Sequence, residues 1–257
     1  INAEATRYYN EHGFKNYELL SSMGVADEDV EQIRNTEGVS DAEGVIRTKG
    51  SFTKGDLNCN VELISMTERI SVPEVTEGSA AEAKDECMVG EDFALTKGLK
   101  VGDRVKLVIA EIEKPMEPGA EEESAKPEKE GALLGKEFTI TGFVKHPDYF
   151  RRKSTDIVVL PWAAFNTEYL GDFRYSHVFV KTDDPEGEDI FSGKYFEKTA
   201  DTKLALEDLA KTLEICAKDA DAFTVSSLES RITTDTYNIH HFIGMMQRMG
   251  VRAPILL

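Results

Sequence analysis

The 257-residue chain carries 48 acidic against 30 basic side chains, a formal charge of −18, with 40% hydrophobic and 30% charged residues. That balance belongs to a folded protein of one large or two small domains. It disfavours nucleic acid as a partner, because phosphates repel so anionic a chain. The longest apolar run, Ile157 to Phe165, is nine residues and contains Pro161, well short of the roughly 20 that a membrane-crossing helix needs.

Residues 1–13 read as a short helix stopped by Gly13, and 17–22 as a strand. A helix follows, with Asp27 as its cap, Glu28 and Asp29 in the first turn, Val30 and Ile33 on one face, and Gly38 as its stop. Residues 39–48 form a second strand. In 57–66 Leu57, Cys59, Val61 and Leu63 alternate with polar residues, the period of a half-buried strand. Residues 73–83 have the composition of a linker. Next come a buried strand "ECMV", a short helix "EDFALTKG" closed by Gly98, and a strand from Arg104 to Ala110.

Residues 111–131 hold 8 acids, 3 lysines and Pro115, Pro118 and Pro127, the composition of a solvated, mobile excursion. In the strand after it, Phe138, Ile140, Gly142 and Val144 alternate with Thr139, Thr141 and Phe143. "DIVVLP" is a buried strand, "WAAFNTEYL" a helical turn, and 174–181 another strand. A helix from Asp201 to about Ala217 shows the stripe Leu206, Leu209, Leu213, Cys216, and a strand "AFTVSS" follows it. Residues 237–250 form a last helix. With 73–172 set aside, and with one strand over, the order is β-α-β-β-α-β. The expected fold class is therefore α+β: a split ferredoxin-like core of 14–72 and 173–236, and an inserted, small, mostly-β subdomain over 73–172.

No nucleophile elbow, phosphate loop, dinucleotide fingerprint or zinc-protease motif occurs. His146 with Asp148 is a conceivable acid–base or metal pair, but "KHPDYF" reads first as a turn with a surface histidine. His240 and His241 diverge by about 100° on a helix and cannot chelate one ion together. His12 and His177 lack an acidic or cysteine partner at ligand spacing in the sequence. Trp162 reads as a packing residue. Cys59, Cys87 and Cys216 are widely spaced and odd in number, so they form no disulfide framework and read as small core residues. Met245, Met246 and Met249 gather on the last helix. The expectation is no catalytic residue, no metal and no cofactor. The chain starts at Ile1 without Met and ends in the increasingly apolar "MMQRMGVRAPILL", which reads as a piece of a longer chain.

Three stretches in order, "NYELLSSMGVADEDVEQIRNTEGVSDAEG", "DECMVGEDFALTKGLKVGDRVKL…KEFTITGFVKHPDYF" and "IVVLPWAAF" with "HVFVKTDD", resemble the extracytoplasmic domain of FtsX-like and MacB-like ABC transporter permeases. The likeness covers most of 15–182. Two features depart from the pattern: the acidic segment 111–131, and Ala26 where Ser or Thr would cap the helix. The resemblance implies a periplasmic-core-like fold with a Porter-like core and a Sabre-like insertion, placed between two membrane helices. Residues 1–13 would lead out from one span and 237–257 down to the next, with Arg248 and Arg252 at the headgroups. It implies no enzyme activity in this chain. ATP would be hydrolysed by a cytoplasmic ABC subunit, with a second permease subunit and a peptide, lipid or cell-wall protein as further partners. The setting would be the extracytoplasmic face of the plasma membrane. The alternative is a secreted or surface-anchored module binding a cationic peptide or a metal ion, and a third, minor reading is a hydrolase using His146 and Asp148.

Overall fold

A computed structural model describes residues 2–109, 131–149, 156–183, 193–217 and 223–227. The acidic stretch up to residue 130 and the readings on His240, His241, Met245, Met246, Met249, Arg248 and Arg252 lie outside the described residues. In chain order the elements are α1 (Asn2–Glu11), β1 (Tyr17–Val25), α2 (Asp27–Arg34), β2 (Val39–Val45), β3 (Arg47–Lys54), β4 (Leu57–Ser65) and β5 (Glu74–Gly78). Then follow β6 (Glu86–Gly90), α3 (Glu91–Lys97), β7 (Arg104–Ile109), β8 (Glu137–Lys145), β9 (Ile157–Leu160) and α4 (Thr167–Leu170). The last are β10 (Tyr175–Thr182), α5 (Gly193–Lys198), α6 (Ala200–Ala217) and β11 (Phe223–Ser227).

The fold is α+β, and the described residues form two sheets. One is four-stranded in the order β11-β1-β10-β2, antiparallel throughout. With α2 and α6, its elements run β-α-β-β-α-β along the chain. Strand alternation turns Tyr17, Leu19, Ala42, Val178 and Val180 to one face, where they pack with Val30 and Ile33 of α2 and Leu206, Ala210 and Leu213 of α6. The leucine stripe of α6 thus faces the sheet as its spacing predicts.

The second sheet runs β5-β8-β6-β9-β4-β3-β7, and β7 also pairs with β8. That last pairing closes β8, β6, β9, β4, β3 and β7 into a barrel, with β5 attached outside to β8. Phe52, Val61, Leu63, Val105, Leu107, Phe138, Ile140 and Phe143 fill the interior, and Phe93 of α3 packs with them. Gly98 ends α3 in the left-handed conformation, φ 65°, as the sequence suggests.

Five expectations change. Gly38 is not the stop of α2, which ends at Arg34 with Asn35 as its C-cap. Strands 47–54 and 57–65 pair in the barrel rather than with the ferredoxin-like strands, because the chain leaves the first sheet at Ile46, between β2 and β3. Residues 74–78, read as linker, form β5, which among the described residues has one neighbour and is exposed and tolerant of Glu and Gly. A bulge between Ile140 and Gly142 breaks the alternation of β8, so Phe143 joins the barrel core while Val144 turns outward. Asp27 is not the cap of α2. Ala26 holds that position, Asp29 accepts its amide at 3.0 Å, and Asp27 instead binds Arg174 and Tyr175.

Candidate functional site

The second face of the four-stranded sheet meets the barrel. Val45 and Phe179 pack there against Ile64, Ile70, Met88, Val144, Ile157, Val159 and Tyr149. The same alternation that sends Leu19 and Val178 to the helices sends Glu18 and His177 to this joint. The β2–β3 crossover brings Arg47, strand β4 brings Glu62, and the turn Pro147–Tyr149 after β8 brings Asp148 and Tyr149.

These side chains form a buried ionic cluster. Arg47 donates through Nε to Glu62, through Nη1 to Glu18 at 3.2 Å and Asp148 at 3.1 Å, and through Nη2 to the Tyr149 hydroxyl at 2.5 Å. Tyr149 donates in turn to Glu62. Lys15 binds Asp148 and, at 3.2 Å, Glu18, and its ammonium sits 3.5 Å from the centre of the Phe179 ring. The Lys15 side chain is 2% exposed and that of Asp148 0%. Charges so far from water persist only because each has opposite charge and hydrogen bonds beside it.

The electrostatics follow from that packing. Burial alone would raise the Glu18 carboxyl, but Lys15 and Arg47 outweigh it and hold it below the usual range, against the opposing charge of Asp148. Burial likewise opposes ionisation of Glu62, and the Arg47 hydrogen bond holds its carboxyl low. Burial pushes His146 and His177 each down to about 4, so both are neutral near pH 7. Among the described residues the cluster therefore sets two cations against three carboxylates, with two neutral imidazoles beside them.

His146 is not the surface residue its sequence context suggests. It is 3% exposed, and its Nδ1 accepts the Asp148 amide at 3.2 Å. Asp148 binds Lys15 and Arg47 through Oδ2, and His146 meets its main-chain amide rather than its carboxylate. Ser176 and His177 touch at 2.8 Å, with Glu18 3.7 Å beyond. The Ser176 hydroxyl also meets the Arg47 carbonyl at 3.0 Å and the Val45 carbonyl at 3.4 Å, and its oxygen accepts the Arg47 amide at 2.8 Å, so it ties the β2–β3 crossover to β10. Among the described residues no three His, Cys, Asp or Glu side chains are placed to hold a metal ion.

The other residues singled out by sequence sit apart. His12 contacts the Val72 carbonyl at 3.1 Å and lies 3.9 Å from Glu74, an acidic neighbour the sequence does not suggest. Trp162 packs between Phe165 and Tyr175. Cys87 is buried in the barrel and its thiol is pushed up to about 12 by that burial; Cys59 is partly buried at the barrel wall. Arg47, Lys15, Glu18, Glu62 and Tyr149 were not legible as a site, since each is one ordinary residue among many.

No protein-family model matches the sequence, and no curated protein matches it. Solved structures do. The periplasmic region of MacB from Actinobacillus actinomycetemcomitans superposes with a TM-score of 0.50 at 10% identity, covering 91% of this chain and 98% of that one. The extracellular domain of the noncanonic ABC-type transporter YknZ from Gram-positive bacteria gives 0.49 at 13% identity, covering 82% of this chain and 100% of that one. The chain has the fold of the MacB periplasmic region.

Proposed function

We propose that this chain is the extracytoplasmic part of an ABC transporter permease, and that it carries motion between membrane helices and a substrate or partner protein. The observation that carries the reading is the fold, matched over 98% of the MacB periplasmic region. The ordered sequence motifs support it independently. So does the placement of the chain's two connections. Tyr17 opens β1 and pairs with Ser227, the last residue of β11, so the first and last described strands lie side by side. A module inserted in one loop of a larger protein needs that arrangement.

In this reading the four-stranded sheet with its helices is the Porter-like core, and the barrel from Arg47 to the turn around Trp162 is the Sabre-like insertion. ATP is hydrolysed by a cytoplasmic ABC subunit, and a second permease subunit completes the transporter. The ionic joint fixes the barrel to the core, so that displacement of one is delivered to the other.

The test is membrane sidedness in the full-length gene product. Leu95 is 71% exposed, so a Leu95→Cys variant is open to reagent. A maleimide that does not cross membranes should label it in intact cells well above the labelling of the parent, in which Cys59 is partly buried and Cys87 buried. An ABC ATPase should co-purify with the protein from detergent. Labelling only after lysis, or a gene product without membrane spans, would overturn the reading.

A further inference from the structure

Among the described residues, strand β2 is an edge of the four-stranded sheet, with β10 as its single neighbour. An edge strand presents unpaired amides and carbonyls to any extended chain that approaches, and it is complementary to its own copy across a two-fold axis. In β2 the middle of that edge is already occupied. Asp41 accepts the Ala42 amide through Oδ1 at 2.8 Å. Arg34, from the last turn of α2, donates to the Ala42 carbonyl at 2.5 Å and to Asp41 Oδ1 at 3.1 Å. Arg69, from the loop after β4, donates to the same carbonyl at 3.3 Å and to Asp41 Oδ2 at 2.7 Å. Two guanidiniums from separate elements thus converge on one carboxylate and one carbonyl, and both main-chain groups of Ala42 are used within the molecule.

We propose that the β2 edge is a guarded self-pairing surface: the Arg34–Asp41–Arg69 clamp withholds the Ala42 backbone from a second copy of this chain. The partner follows from geometry. Antiparallel pairing of β2 with its copy, centred on Ala42, joins two four-stranded sheets into one and closes on itself as a dimer. The same register sets Asp41 of one copy opposite Glu43 of the other, and like charges facing across a ladder repel. Asp41 therefore guards the edge twice, by holding the amide and arginines and by its own charge. Glu43 is already engaged, since its carboxylate accepts the amides of Glu68 at 2.9 Å, Arg69 at 3.2 Å and Ile70 at 2.9 Å. The charge of −18 adds general repulsion between copies, which about 1 M salt screens to a range of about 3 Å.

The inference is independent of the transporter reading and is tested on the chain itself. The variant Arg34→Ala, Asp41→Val, Arg69→Ala opens both Ala42 groups and removes the facing carboxylate. In 1 M salt its mass by light scattering should rise toward twice that of the parent and stop there. Amide exchange across residues 39–45 should slow by tenfold or more in the dimer. A folded variant that keeps the parent's mass at all concentrations overturns the proposal. So does open-ended growth beyond the dimer, or a dimer in which exchange of 39–45 is unchanged. A second measurement needs no variant. In the parent chain the Ala42 amide should resist exchange despite its edge position, and exchange at the rate of a free edge amide would show that no clamp closes it.

Discussion

Arg47 is the residue on which the joint between sheet and barrel is most exposed to test. Its side chain is 12% exposed and binds Glu18, Glu62, Asp148 and Tyr149, which come from three different parts of the chain. Replacing it by Met keeps the apolar stem and deletes the guanidinium. Three carboxylates then face Lys15, the remaining cation of the cluster among the described residues. Breaking a buried ion pair from one side costs about 3–5 kcal/mol, because the abandoned charge stays desolvated. The low end applies, since Glu62 keeps 26% exposure and its bond from Tyr149. We therefore expect Arg47→Met to cost about 3 kcal/mol. Adding Glu62→Gln should recover about 1–2 kcal/mol of it by removing one stranded charge. Arg47→Lys should not restore the parent, because an ammonium cannot span four partners as the planar fork does. Urea unfolding of the four proteins at pH 7, followed by far-ultraviolet dichroism, measures each term. A loss below about 1 kcal/mol for Arg47→Met, the value of an exposed pair, would refute the claim that this cluster holds the joint.

Acid should weaken the fold in a defined window. His146 and His177 titrate near 4 when folded but near 6.5 when unfolded, so between those values the unfolded chain binds more protons. Their contribution is complete above pH 6.5 and is lost as pH falls toward 4, by up to about 3 kcal/mol each. The depressed carboxyls Glu18 and Glu62 add their loss at lower pH still. A urea midpoint unchanged from pH 7 to 5 would contradict this, and His146→Gln should flatten the slope. Gly142→Ala should cost about 1–3 kcal/mol, since a Cβ there would lie 2.5 Å from the Ser79 carbonyl oxygen and 2.9 Å from that of Glu77. A neutral result would mean that the β5–β8 edge yields. Leu63→Ala in the barrel core and Leu19→Ala under the helices should each cost about 2–5 kcal/mol, and each should shift one common transition seen by Trp162 fluorescence and by dichroism. Separate transitions would show that the barrel and the sheet unfold independently.

What the sequence made legible was what local period encodes. The leucine stripe of α6, the alternation of β4 and the Gly98 stop of α3 all read correctly because side-chain spacing and backbone conformation are local properties. The errors share one cause, which is pairing over distance. Nothing in residues 39–54 says that the chain changes sheets at Ile46. That crossing is set by β2 pairing with β10 and β3 with β4. Strand β5 lacked an apolar pattern because it has one neighbour and an exposed surface. The ionic cluster was invisible for the same reason. Lys15 and Asp148 are 133 positions apart, and each looks like a surface charge until the fold brings them together. The one available hint was Glu18, a charge in the otherwise apolar start "YELL", at a position whose neighbours on both sides face inward or outward by strict alternation.

The two contacts across the joint do different work. Val45, Phe179, Ile64, Met88, Val144 and Val159 form an apolar layer, which favours burial but is non-directional and tolerates sliding. An ion cluster adds little net stability over well-packed apolar residues, yet it is satisfied in one arrangement only, because a small shift leaves a desolvated charge unpaired. Arg47 stands where the chain crosses from sheet to barrel, and its four partners belong to both. A shear between the two bodies would therefore break several charge-assisted bonds at once, while the apolar layer alone would resist it weakly. Under the proposed function, that is what a module passing displacement from core to barrel requires. Arg47→Met should then lower transport by the assembled permease more than Leu63→Ala does at equal loss of stability. Equal losses of transport would leave the cluster with a role in folding alone.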